Sequence, residues 1–182
     1  MRSRGWDAVI LTGSDPHGSE YPASRWKQVE WLSGFTGEAG DLAITLDEAF
    51  LWTDSRYFIQ AVQQLEGSGV QLQKTGVENE VSIPDYLETQ ADNPSDYVLA
   101  FDSLCLSAVT VQKYSRFNLV GVPDLMSLLW KDRPALIQTP VYMVEPGENR
   151  RQKFAWLRLR RFEGNIVPAC GTGQVGFISP EV

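Results

Sequence analysis

Positions 49–65 read AFLWTDSRYFIQAVQQL, and this stretch decides the fold. Its first five residues, Ala49 to Thr53, are a short apolar and aromatic run of β type. A helical pattern then begins without an intervening linker: Tyr57, Phe58, Ala61, Val62 and Leu65 recur at i, i+1, i+4, i+5 and i+8. Asp54 stands where a carboxylate accepts hydrogen bonds from the free N–H groups of a first helical turn, and it is expected to cap that helix. A strand feeding directly into a helix that must bury one stripe calls for a sheet with helices packed on it.

The same alternation extends outward in both directions. Upstream, the run 42–46 reads as a second strand, joined to 49–53 through Asp47-Glu48 as a hairpin whose turn lacks the preferred glycine. Residues 33–40, SGFTGEAG, carry three glycines and are expected to be a tight connection between helix and strand. Before them, Trp26, Val29 and Leu32 mark the apolar side of a helix over 25–32, with Arg25, Lys27 and Glu30 facing water. The apolar run 7–11 ends in Thr12-Gly13-Ser14-Asp15-Pro16, the turn chemistry of a buried strand's exit. Downstream, strands at 70–74, 97–101 and 119–122 alternate with helices at 83–90 and 107–117. The fold class is therefore α/β, a mixed β-sheet flanked by helices. Prolines in 132–140 mark a linker, and the Arg- and Lys-rich stretch 147–162 reads as a helix with one solvated face.

Composition narrows the function. In 182 residues, 43% hydrophobic and 11% aromatic content is enough for a real core. A net charge of −7 argues against a nucleic-acid partner, which needs clustered cations. No run approaches the roughly 20 apolar residues of a membrane span, so no membrane partner is expected and the default location is cytoplasmic. Cys105 and Cys170 have no C-x-x-C spacing and are read as free thiols. His17 is the sole histidine. Its neighbours Asp15, Ser19 and Glu20 invite a triad, but triad members must converge in space, so the loop is given a structural role.

Four segments in order carry a family resemblance: SDPHGSEY at 14–21, WLSGFTGEAG at 31–40, LWTDSRYF at 51–58 and LLWKDRPAL at 128–136. Together they resemble the N-terminal domain of the Xaa-Pro aminopeptidase (aminopeptidase P) branch of the creatinase/prolidase superfamily, over roughly residues 5–160. The resemblance implies a 1–140 domain of the creatinase/prolidase N-terminal type, a 141–163 linker and start of a second domain, and a non-family 164–182 tail, expected to be poorly ordered. That tail fits a frameshifted frame or a misassembled gene better than a clean domain boundary.

In this family the catalytic domain holds two divalent metal ions, usually manganese, through two Asp, one His and two Glu beyond any position in this chain. The expectation is a non-catalytic fragment of a dimetal peptidase that removes the residue before proline, with no catalytic residue, metal ligand or cofactor of its own. The implied partners are the missing C-terminal catalytic domain, a peptide with proline at the second position and, as an option, a second copy in a homodimer. A stand-alone peptide- or protein-binding module of the same fold is the alternative. The resemblance assigns substrate binding to Arg56, whose guanidinium can make paired bonds to carboxylates or carbonyls. A salt bridge that pins the helix start is the competing role for this side chain. Ser55 stands where the family usually has Gly, and Glu38 where it more often has a small residue. Trp52 and Trp130 are expected in the core or at a domain contact.

Overall fold

The computed structural model describes residues 1–136, 140, 151, 152, 154 and 155. The chain divides into two compact units, Met1–Ile137 and Gln138–Val182. In the second, Arg151, Gln152, Phe154 and Ala155 have helical backbone, within the amphipathic stretch expected there. The rest of that stretch, the 164–182 tail and Cys170 lie outside the described residues.

The first unit is built on six strands: β1 (Ala8–Thr12), β2 (Asp41–Ile44), β3 (Ala49–Thr53), β4 (Val70–Lys74), β5 (Val98–Asp102) and β6 (Asn118–Val122). Four α-helices alternate with them: α1 (Gln28–Ser33), α2 (Phe58–Gln64), α3 (Ile83–Thr89) and α4 (Ala108–Gln112). The strands form one sheet in the order β4-β3-β2-β1-β5-β6. β2 pairs antiparallel with both β1 and β3, and the remaining pairings are parallel. The expected mixed α/β sheet is what the chain forms.

Every residue of β1 is buried, as a central strand covered on both faces requires. Val9 and Leu11 join Val29 of α1, Ala61 of α2 and Leu125 and Met126 on one face. Ala8 and Ile10 join Ile83 and Leu87 of α3, with Tyr114 and Phe117, on the other. The β2–β3 hairpin manages without glycine because Thr45 rebuilds the turn. Its Oγ1 accepts from the amides of Asp47 and Glu48, and its own amide donates to the Glu48 carbonyl. Trp52 is core, 4% exposed, and its indole N–H donates to the Val81 carbonyl at 2.8 Å. Trp130 is also buried, stacked on Trp31 with ring centroids 5.1 Å apart.

Five local expectations are corrected. Asp54 does not cap α2: the helix starts at Phe58 with Tyr57 at its N-cap, and Asp54 instead closes a turn by accepting from the Arg56 amide at 3.0 Å. Val62 is exposed, because α2 turns Ala61 and Leu65 inward and directs Gln60 and Gln64 at Thr36. The helix expected from Arg25 begins as a 3-10 turn, Ser24–Trp26, and becomes α1 at Gln28. Arg25 does not face water; it bonds the Asp124 carboxylate and the Pro134 carbonyl. Finally, α4 ends at Gln112, and residues 113–117 continue as turns that still bury Tyr114 and Phe117.

Candidate functional site

Because β2 alone runs against the other described strands, the carboxyl ends of β1, β3, β4, β5 and β6 share one edge of the sheet with the amino end of β2. Ligand-facing groups of open α/β sheets cluster at that kind of edge. It gathers three of the four sequence motifs: the 14–21 loop after β1, the 33–40 loop before β2 and the 54–57 turn after β3.

The 33–40 loop is tied to α2 and to the end of β3, and the end of β1 to the start of β2. The Gly13 amide donates to Asp41 Oδ1 at 3.3 Å, and an ideal Cβ on Gly13 would lie 3.0 Å from the Gly40 carbonyl oxygen. Thr53 Oγ1 donates to the Ala39 carbonyl. The Thr36 amide donates to Gln64 Oε1 at 2.9 Å, while Gln60 and Gln64 Nε2 both donate to Thr36 Oγ1 at 2.9 Å. The SGFTGEAG segment is thus the tight connection its glycines predict. Gly34 takes φ 78° at the end of α1, and Phe35 is fully buried beneath the loop.

Arg56 sits at the tip of the 54–57 turn with its side chain 66% exposed. Its Nε donates to Asp54 Oδ1 at 2.9 Å and its Nη2 to Asp54 Oδ2 at 2.7 Å, and its guanidinium lies 5.1 Å from the centroid of the Tyr57 ring. The bidentate bond and the guanidinium charge hold the Asp54 carboxyl below its ordinary range and push the Arg56 guanidinium further up. The neighbour pairing is therefore real, and it uses two of the five N–H donors. The Nη1 edge stays available while the pair fixes the direction in which it points.

His17 is exposed, and its ring makes no hydrogen bond with a described residue; its backbone amide donates to Asp15 Oδ1 at 2.9 Å, as does the Ser19 amide. The loop is built around Asp15, which is 6% exposed. Burial alone would raise the Asp15 pKa. The Ser19 amide and hydroxyl and the His17 amide outweigh it, so the carboxyl titrates below its ordinary value. A folded pKa below the unfolded one adds stability above the unfolded value, and this is lost as the pH falls through the folded value. Asp15→Asn is accordingly expected to cost about 1 kcal/mol at neutral pH. Its urea midpoint should approach that of the parent in the acidic range below ordinary carboxylate pKa values.

The fourth motif, at 128–136, is tied down by contacts distant in sequence. Arg133 bonds the Asp124 carboxylate and, through Nε at 2.7 Å, the Arg25 carbonyl, while Arg25 Nη2 bonds the other Asp124 oxygen at 2.9 Å. No signal in the sequence pairs these three residues, since each partner is brought in by the sheet. Cys105 is a free, buried thiol, with its pKa pushed up to about 12 by burial and by the Asp102 charge. Among the described residues no three His, Cys, Asp or Glu side chains converge as metal ligands. They do not fit a dinuclear centre, so no metal-dependent step is derived from this chain. No helix among them is long and apolar enough to cross a membrane.

Residues 1–133 match the family described as Creatinase/Prolidase N-terminal domain. Aminopeptidase P1 of Arabidopsis thaliana is 35% identical over 166 residues, covering 85% of this chain and 25% of the relative. Xaa-Pro aminopeptidase app-1 of Caenorhabditis elegans is 33% identical over 145 residues, covering 76% and 23%. A solved X-prolyl aminopeptidase from Caenorhabditis elegans, described as a cytosolic enzyme with a di-nuclear active site, superposes with a TM-score of 0.70 at 30% identity. That superposition covers 87% of this chain and 27% of the solved one. The chain spans about a quarter of the length of these relatives.

Proposed function

Because the chain belongs to the creatinase/prolidase N-terminal domain family, we propose that it acts as the non-catalytic N-terminal domain of a Xaa-Pro aminopeptidase. The carrying observation is the match to one quarter of such enzymes, in a chain whose described residues assemble no metal-ligand group. In this reading the catalytic domain supplies two divalent ions, manganese, and the hydrolysis. This chain supplies the 1–140 domain, a face for that catalytic domain and for a second copy, and Arg56. Its compartment is the cytoplasm, as described for the solved relative.

Arg56 is assigned to the peptide substrate, presenting its free guanidinium edge to a carboxylate or carbonyl oxygen. Two facts support this: the side chain is mostly exposed, and Asp54 holds it without consuming all its donors. Joined to the catalytic portion of the Caenorhabditis elegans relative, Arg56→Ala is expected to lower kcat/KM on an Xaa-Pro-Pro peptide about tenfold or more. Arg56→Lys should not rescue it, because an ammonium cannot reproduce the fork. An Arg56→Ala hybrid with unchanged kcat/KM would remove the assignment. Cleavage of the same peptide by the purified 182-residue chain in manganese would overturn the non-catalytic reading.

A further inference from the structure

β1 and β5 are parallel neighbours, yet the chain leaves them toward opposite faces of the sheet. After β1 it passes to α1, whose Val29 belongs to one buried cluster. After β5 it passes to α4 and on to Tyr114 and Phe117 in the other. Diverging connections of this kind leave a crevice outside the carboxyl ends of the two strands. Here it is a cavity of about 420 Å³, whose lining includes Thr12, Asp15, His17, Asp41, Cys105 and Thr110.

Two of these residues, Thr12 and Asp41, are short of partners, and with Asp15 they point to one chemistry. Thr12 is 7% exposed, and its Oγ1 is buried with no hydrogen-bond partner among the described residues. The alternation along β1 sends this side chain to the face of Ala8 and Ile10, the face that residues 104–114 cover beyond the strand ends. An unpartnered buried hydroxyl costs free energy that a correctly placed ligand atom would recover. Asp41 accepts only a long bond from Gly13 at 3.3 Å, and burial raises its pKa despite the nearby charge of Lys113, which forms no ion pair with it. Asp15 is better supplied, with Oδ1 taking the two loop amides and the Ser19 hydroxyl adding a further bond, and it brings a second carboxylate to the lining. These three side chains therefore offer oxygen acceptors to the cavity, and among the described residues no ion pair engages either carboxylate.

A hard metal ion would need about six to eight oxygen ligands, and the described residues do not bring together three metal-ligating side chains. A primary ammonium group needs three acceptors and supplies both the donors and the charge. We propose that the cavity between the diverging β1 and β5 connections binds a primary ammonium group, with Thr12 Oγ1 and the Asp15 and Asp41 carboxylates as acceptors. The site uses no contact of Arg56, so it stands or falls apart from the role proposed for that residue.

The test is an NMR titration of the 182-residue chain with ethylammonium chloride at constant ionic strength, following the amides of Gly13 and of residues 104–110. Saturable shifts are expected, with affinity weakened about tenfold by Thr12→Val and at least as much by Asp41→Asn. Tetramethylammonium, equally charged but without N–H groups, should produce none. An alanyl-proline peptide with a free amino terminus, set against its acetylated form, separates a peptide amino terminus from a small free amine as the natural source. The proposal is overturned if ethylammonium gives no saturable shift or if tetramethylammonium matches it. It is equally overturned if Thr12→Val titrates like the parent, since an ordered water would then suffice for the hydroxyl. Thr12→Val is isosteric, so the test remains decisive if Asp41→Asn does not fold.

Discussion

Asp124→Ala is expected to destabilise the domain by about 3–5 kcal/mol, read from the urea midpoint, because it strips two guanidinium groups of their shared counter-charge. Arg133 has only 3% of its side chain exposed, and Arg25 has 20%. Arg133 Nη2 and Arg25 Nε already lack hydrogen-bond partners, so neither group has a spare acceptor to turn to. Both cations also pack on Trp26, with the Arg133 guanidinium 4.7 Å from its ring centroid, which blocks an escape to water without loss of packing. Asp124 has φ 51°, a region Asn tolerates and Ala does not, so Asp124→Asn isolates the charge from the backbone. Asp124→Asn combined with Arg133→Met should recover much of the loss, since the buried charge goes with its partner. A cost below about 1 kcal/mol for Asp124→Ala would mean the triad behaves as a surface ion pair.

Gly37→Ala should cost about 3 kcal/mol, the upper end of the usual range for overpacking a filled core. A Cβ at Gly37 would lie 2.2 Å from Phe35 Cζ and 2.7 Å from its Cε1. The Phe35 ring is fully buried and meets Tyr57 edge-on at 5.9 Å, so it has no open space to swing into. Gly40 hems it from another side, with an ideal Cβ 3.0 Å from Phe35 Cε1. Backbone freedom is not the reason, since Gly37 does not take a positive φ. The smaller side chain of Phe35→Leu should make Gly37→Ala less damaging than it is alone, a coupling measurable in a double-mutant cycle. Displacing the ring would also shift Thr36, which holds α2 through Gln60 and Gln64, and would disturb the edge that carries Arg56.

Both predictions rest on features that sequence reading saw in part. SGFTGEAG was legible as a tight loop because three closely spaced glycines admit few other uses. That Gly37 is needed for the Phe35 ring, rather than for a turn angle, depends on where the ring is driven by α2 and β3. DRP at 132–134 was legible as part of a motif. The service of Asp124 to Arg25 and Arg133 was not, because charges far apart in sequence carry no periodicity to reveal them. The burial of Arg25 is hidden for the same reason: a helical wheel places a residue relative to its own helix and says nothing of a later segment that closes over it. The spacing of Asp54 suits a helix cap and equally the turn that it closes in the fold.

What the sequence by itself determined is the α/β alternation, the mixed sheet and the family. Period-two and period-3.6 patterns and turn residues are local properties of a chain, and four ordered motifs survive without coordinates. What only the tertiary structure decided is which of those motifs meet. The reversed β2 brings the carboxyl ends of five strands to one edge, and that juxtaposition sets the loop of His17, the glycine loop and the turn of Arg56 on the same edge of the sheet. Strand order and direction are set by which apolar faces bury one another, a nonlocal sum over the whole core that no single segment records.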